Sequence, residues 1–252
     1  METSDIRAMV DSVCWYHSFE VAPGVMTPGR VMATDLRDWM DRAGVPTDLQ
    51  GVRALDIGSW DGPYAFELED RGADVVAFDI HDPNETGFNA AKKIRGSKVE
   101  YVRGSVYELA DHVSGPFDLV MFKGVFYHLR YPMMALDKIY EVVAPKGKLF
   151  FEGECLINYV ESVDERPPDL DPVAIGTSNI PLVAYFGGRY KGADNFYVPN
   201  FQALKSWLWS AGFEVVRHDS WEDPEGTPYP GQRIWGIAQR RDDHVYWEHE
   251  MH

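Results

Sequence analysis

Apolar positions along the chain switch between a helical and a two-residue period, and the switches mark out the elements. Residues 3–13 put Ile6, Met9, Val10 and Val13 on one helical face. Residues 14–30 keep neither period. They are rich in aromatic residues, glycine and proline, and read as a loop or lid. Residues 32–43 form a second amphipathic helix, closed by Gly44. From Val52 the pattern changes. A short apolar run (Val52, Ala54, Leu55, Ile57) stops at Gly58. A helical pattern (Tyr64, Ala65, Phe66, Leu68) then runs to Arg71-Gly72, and a second apolar run ends in Asp79.

The alternation continues with a helix over 84–94, a strand over 99–102, a strand over 117–122 and a helix over 132–143. A fifth strand starting at 148 ends near Glu152, and a helix over 202–211 is closed by Gly212. Two last strands, 213–218 and 232–238, have no helix between them. The pattern predicts an α/β fold: a Rossmann-like, doubly wound, seven-stranded, mostly parallel sheet with an antiparallel last strand. Residues 1–45 are then an N-terminal helical cap, 46–155 and 201–240 the core, and 241–252 a tail. Residues 156–200 are too long for an ordinary connection. They read as an insertion after strand five, acidic and proline-rich first and aromatic later, placed to shape an acceptor site.

Composition narrows the function. The chain has 252 residues, 45% of them hydrophobic, enough for a substantial core. No apolar run reaches the ~20 residues of a membrane helix. The first residues lack the basic-then-apolar order of a secretory signal. Cys14 and Cys155 are too few for a disulfide framework, so a cytoplasmic setting is expected. A net charge of −16, with no dense basic patch, argues against nucleic acid as a partner.

The glycine turn carries the chemistry. A strand, glycine turn, helix and second strand ending in an acid form the first half of a nucleotide-binding unit. Asp79 follows Gly58 by 21 residues, near the ~20 expected for a ribose-binding acid. A dinucleotide site wants bare glycine backbone against a diphosphate. Here Trp60 fills that place and Asp61 would repel phosphate. S-adenosylmethionine (SAM) has no phosphate; Asp56 and Asp61 suit its cationic end, and amides at the helix start suit its carboxylate. A structural turn of another α/β protein is the alternative.

The stretch DIGSWDG with Asp79 resembles the class I SAM-dependent methyltransferases. Residues 122–132, FKGVFYHLRYP, resemble one branch of them, the tRNA wobble-uridine carboxymethyl transferases. Residues 15–25, 147–152, 195–208 with Gly212-Phe213, and 229–233 agree with that branch. It uses carboxy-SAM, and the resemblance implies that Tyr127 and Arg233 hold the extra carboxylate. The branch's third contact, a lysine, falls on His17. Histidine is mostly neutral at pH 7, so a charge-assisted contact of ~1.5–3 kcal/mol is lost. Lys123 stands where the branch has an uncharged residue and is the candidate substitute. Plain SAM and a small acceptor are therefore expected.

Methyl transfer from a sulfonium needs alignment, exclusion of water and sometimes a base. It does not need a metal, and no metal site is expected. Candidate cofactor contacts are Trp15, His17, Arg30, Asp56, Gly58, Trp60, Asp61, Gly62, Asp79, Ser105, Val106, Lys123, Tyr127 and Arg233. His128 is the candidate base, beside Tyr127; it serves equally as a histidine bonded to backbone. Glu152 is read as base, acceptor ligand or ion-pair anchor for Arg233 or Arg189. Arg189, Tyr190 and Tyr197 of the insertion are candidate acceptor contacts. The leading expectation is a SAM methyltransferase acting on a small molecule. A carboxy-SAM-dependent tRNA enzyme and a non-catalytic SAM-binding partner subunit are the rivals. The oligomeric state is left open.

Overall fold

The computed structural model describes residues 1–33, 36–157, 179–189, 194–222 and 232–244. Tyr190, the acidic proline-rich stretch at 161–172 and the tail beyond 244 lie outside them. The main sheet has seven strands. These are β1 (Arg53–Ile57), β2 (Asp74–Asp79), β3 (Glu100–Arg103), β4 (Phe117–Lys123), β5 (Val143–Glu154), β6 (Phe213–Glu222) and β7 (Gln232–Arg240). Their order is β6-β7-β5-β4-β1-β2-β3. β3, β2, β1, β4 and β5 pair in parallel, and β7 is antiparallel to both β5 and β6. The expected doubly wound sheet is borne out. Its order reverses between β1 and β4, where open α/β sheets form their ligand crevice.

Strand alternation splits the core into two layers. Leu55, Ile57, Val76, Phe78, Val120 and Phe122 face α5 (Leu109–His112), α6 (Pro132–Val142) and α7 (Phe201–Ser210). Ala54, Val75, Ala77, Leu119, Met121 and Phe150 face the other way. They pack with α1 (Thr3–Asp11), α2 (Leu36–Ala43), α3 (Pro63–Asp70) and α4 (Phe88–Arg95). Burying such side chains stabilises by ~1.5–3 kcal/mol each. Among the described residues no helix is long and apolar enough to cross a membrane.

The N-terminal segment differs from the expected irregular loop. His17–Ser18 pairs in parallel with Val31–Met32, and Glu20–Ala22 pairs antiparallel with Val25–Met26. Thr27 binds the two turns together: its Oγ1 donates to the His17 carbonyl and accepts from the Phe19 amide. Gly29 passes so close to His17 that an added Cβ would fall 2.1 Å from the His17 carbonyl carbon. The second helix starts at Leu36 rather than residue 32. Within the insertion, Val183–Tyr185 pairs antiparallel with Tyr197–Pro199, a hairpin the sequence did not announce.

Candidate active site

Period-two alternation delivers the polar residues to one place. Asp56 shares a sheet face with Ala54, Asp79 with Val75 and Ala77, Lys123 with Leu119 and Met121, and Glu152 with Phe150. Each stands at or near the carboxyl end of its parallel strand. Arg233 stands at the start of antiparallel β7, and so reaches the same edge.

The turn after β1 is held in a conformation that needs glycine. Gly58 has φ +78°, and an added Cβ would lie 2.4 Å from Val125 Cγ2. Gly62, at φ +89°, caps α3 against the rings of Phe66 and Phe88. Trp60 takes a positive φ of 50° without being glycine, and its amide donates to Asp79 Oδ2 at 2.9 Å. Asp79 is nearly buried. Its Oδ1 accepts from the His81 amide at 3.0 Å and lies 2.7 Å from His81 Nδ1. The His81 and Trp60 rings lie 4.4 Å apart. His81 escaped the sequence reading; its only signal is a position two residues after an aspartate, where side-chain bonds to backbone are common. The loop after β3 closes on the same acid, with Gly104 donating to the Asp79 carbonyl. There Ser105 caps a short helical turn by accepting from the Tyr107 amide at 3.4 Å, and Val106 is buried.

Asp56 is buried with Oδ2 unpartnered. Burial pushes its pKa up to about 7 and the Asp79 charge adds to the rise; Ser59 and Lys123 oppose it. Such a group is poised to ionise when a cation arrives.

Asp61 does something other than face a cofactor's cationic end. It is fully buried, and its carboxylate accepts from the amides of Tyr16 (2.9 Å) and His17 (2.7 Å) and pairs with His17 Nδ1. The acid is spent on tying the N-terminal segment over the glycine turn. Trp15 lies in the core, and its indole N–H donates to the Val10 carbonyl at 2.8 Å. Arg30 is exposed at the far end of the same segment.

The other half of the crevice is an ionic cluster. Lys123 and Glu152 are cross-strand neighbours on β4 and β5, with Lys123 Nζ 3.1 Å from Glu152 Oε2. Arg233 Nε donates to Glu152 Oε1 at 2.5 Å, and its Nη1 lies 3.5 Å from Glu154 Oε1. The guanidinium also sits over the Tyr127 ring. Glu152 has no exposed surface, yet the two cations outweigh its burial and hold its pKa down to about 2. A carboxylate that acidic accepts protons poorly, so of its three expected roles the geometry supports the anchor. It anchors Arg233 and Lys123. Arg189 lies exposed on the insertion, its amide bonded to the Phe186 carbonyl. Lys123 Nζ lies 4.9 Å from the Tyr64 ring centre and 5.7 Å from that of Trp39, two residues the sequence reading passed over.

His128 follows Tyr127 on a short helical turn, with Nδ1 3.3 Å from the Asp194 carbonyl. Withdrawal of water by the surrounding chain lowers its pKa, so it is neutral at pH 7. Tyr127 is buried, and burial raises its pKa. Its carbonyl accepts from the Phe196 amide at 2.7 Å, fixing the insertion to the site. Tyr197 donates to the Arg130 carbonyl. With Tyr131, Met133, Met134 and Trp207 it lines an open groove of about 570 Å³.

Comparison with known proteins agrees with this architecture. A methyltransferase domain family matches residues 29–218. The chain is 30% identical over 186 residues to a tRNA U34 carboxymethyltransferase of Pseudomonas putida, covering 71% of this chain and 51% of that protein. It is 33% identical over 116 residues to a ubiquinone biosynthesis O-methyltransferase of Dechloromonas aromatica, covering 45% of this chain and 47% of that one. The chain thus spans about half the length of the curated relatives it matches. Among solved structures, the N-terminal domain of EvdMO1 with S-adenosylhomocysteine and D-fucose is similar in fold. Its TM-score is 0.60 at 18% identity, over 96% of this chain and 97% of that one. Sheet order, glycine turn and family match converge: the chain belongs to the methyltransferase domain family.

Proposed function

We propose that this protein transfers a methyl group from SAM to a small acceptor in the cytosol. SAM brings a methyl on a sulfonium, a built-in leaving group. The residues fit it. Asp79, ordered by Trp60 and His81, has lone pairs left for ribose hydroxyls. Asp56 offers a buried carboxylate with a free oxygen for the cationic end. Gly58 and Gly62 keep the turn open to close approach, and the loop at Ser105 and Val106 suits the adenine side. His17, Trp60 and Arg30 close over it from the N-terminal side. His128, neutral at pH 7, is the group suited to take an acceptor proton. Arg189 and Tyr197 sit on the insertion where an acceptor would enter.

One observation carries the choice of SAM over its carboxylated form. The two cations that would hold an extra carboxylate are already paired, Arg233 with Glu152 and Glu154 and Lys123 with Glu152, and the His17 ring is bonded to Asp61. An entering carboxylate would meet two buried acids beside those cations. The test is calorimetric titration of cofactor-stripped protein with SAM and carboxy-SAM side by side. Tighter SAM binding is expected, and a clear preference for carboxy-SAM would overturn the reading.

The names of the curated relatives favour a second reading, carboxymethyl transfer to a tRNA wobble uridine. It requires tRNA binding that weakens steeply with salt; absence of such binding ends it.

A further inference from the structure

The open groove of about 570 Å³ is walled by three parts of the chain. Arg130, Tyr131, Met133 and Met134 come from the end of the turn after β4 and the start of α6. Tyr197 comes from the short strand of the insertion and Trp207 from α7. The volume falls within the ~300–1,000 Å³ of small-molecule sites. Apart from one guanidinium the walls are apolar. Apolar surface left in water is unfavourable, yet Tyr131 is 54% exposed and Met134 41%. The rings are held in place. The Tyr131 amide donates to the Tyr107 hydroxyl at 3.1 Å, and the Tyr197 and Trp207 rings meet edge to face with centres 6.1 Å apart.

The chain joins this groove to the candidate base. Arg130 follows His128 by two residues, so their Cα atoms lie within ~7 Å of each other. The Tyr197 hydroxyl donates to the Arg130 carbonyl at 3.2 Å, and the amide of its neighbour Phe196 donates to the Tyr127 carbonyl. The insertion is thus fastened along the turn that carries Tyr127, His128 and Arg130.

The lining selects the occupant. Arg130 is exposed, and among the described residues no acid pairs with it; its guanidinium lies 5.9 Å from the centre of the Tyr131 ring. The N-terminal end of α6, which no side chain caps, adds partial positive charge beside it. A cationic ligand would be repelled there. A plain hydrocarbon would leave the guanidinium without a counter-charge. A flat ring system with a carboxylate matches both parts. Tyr131, Tyr197 and Trp207 take the rings, the two methionines follow their outline, and carboxylate and guanidinium pair through two parallel bonds.

We infer that the groove binds the body of the methyl acceptor, and that this acceptor is a flat, largely apolar ring compound with an anionic end held by Arg130. This rests on the methyltransferase reading above and names the class of its acceptor. Arg130 sets specificity and takes no part in the transfer itself.

The test uses full-length protein loaded with S-adenosylhomocysteine and three matched probes, 2-naphthoate, 2-naphthamide and 2-naphthylmethylammonium, titrated by saturation-transfer NMR. Naphthoate is expected to bind best, with the amide about tenfold weaker, the worth of one charge-assisted contact, and the ammonium weakest. Arg130→Gln should erase the advantage of naphthoate over the amide and leave S-adenosylhomocysteine affinity unchanged. Met134→Glu, at an exposed position, should weaken naphthoate by charge repulsion. Cross-peaks between naphthoate and S-adenosylhomocysteine protons are expected. Equal binding of the three probes, indifference to Arg130→Gln, no probe bound to loaded protein, or no cross-peaks would each overturn the inference while leaving the cofactor reading intact. Tighter binding of uridine 5′-monophosphate than of naphthoate would overturn it by giving the groove to nucleic acid. Self-association in the ultracentrifuge that Met134→Glu abolishes would overturn it by giving the groove to a second copy. Failure of the protein to take up S-adenosylhomocysteine at all would instead bring down the cofactor reading.

Discussion

Arg233 stands directly opposite Glu154 in the β7–β5 ladder, yet its Nε reaches diagonally to Glu152, 2.5 Å away. The diagonal leaves Glu154 the weaker contact at 3.5 Å and gives Glu152 two cations. A buried acid so placed is the keystone of the cluster.

Glu152→Gln removes that charge and leaves Lys123 and Arg233 facing each other. Breaking a buried pair costs ~3–5 kcal/mol, and the melting temperature should fall accordingly. The wild type carries a pH signature. With a folded pKa of about 2 against an ordinary 4.5, Glu152 contributes stability that is fully present above pH 4.5 and lost as pH falls towards 2. Thermal melts between those limits should show a slope for the wild type that Glu152→Gln lacks. Equal slopes would mean that the pair is not formed.

Asp56 has the opposite sign. Its folded pKa, raised from 3.8 to about 7, means that its stabilising share is present below pH 3.8 and lost as pH rises through 7. Asp56→Asn should therefore gain stability over the cofactor-free wild type at pH 8, by roughly 2–4 kcal/mol, and little at pH 4. Denaturant titrations at the two pH values measure this. The same variant should bind SAM more weakly, because the wild-type carboxyl ionises to meet the cation.

Asp61→Ala should release the segment it holds without unfolding the sheet. Charge-assisted bonds of ~1.5–3 kcal/mol are removed, so the amides of Tyr16 and His17 should exchange hydrogen at least tenfold faster. Unchanged exchange would show that the short strands hold the segment by themselves.

Two glycines separate backbone strain from packing. Gly24 and Gly62 both have positive φ. An added Cβ at Gly24 meets nothing within 4 Å, whereas at Gly62 it falls 2.7 Å from the Phe66 and Phe88 rings. Gly24→Ala should cost ~1 kcal/mol, from conformation alone. Gly62→Ala should cost a further ~1–3 kcal/mol from overpacking. Chemical denaturation of the two variants compares them directly.

The sheet was legible because its parallel strands are apolar runs cut off by glycine or by an acid, as at Ile57-Gly58 and Phe78-Asp79. The place of Asp79 at the end of the second strand was legible from the pattern of that run. The N-terminal strands were not, since pieces of two or three residues such as His17–Ser18 are too short to show a period. The partner of Asp61 was hidden for another reason. An acid beside a glycine turn reads as a ligand contact, and only the tertiary fold brings residues 16 and 17 to it. Trp39 and Tyr64 read as ordinary helix residues until β4 places Lys123 between their helices and the ionic cluster.

The tie between Asp61 and residues 16–17 also sets an order of events during synthesis. The segment is made before the acid that pins it, which follows His17 by 44 residues and lies in the turn that leads from β1 into α3. The contact that pins residues 16–17 thus forms only after a stretch made later has been synthesised and turned back on them.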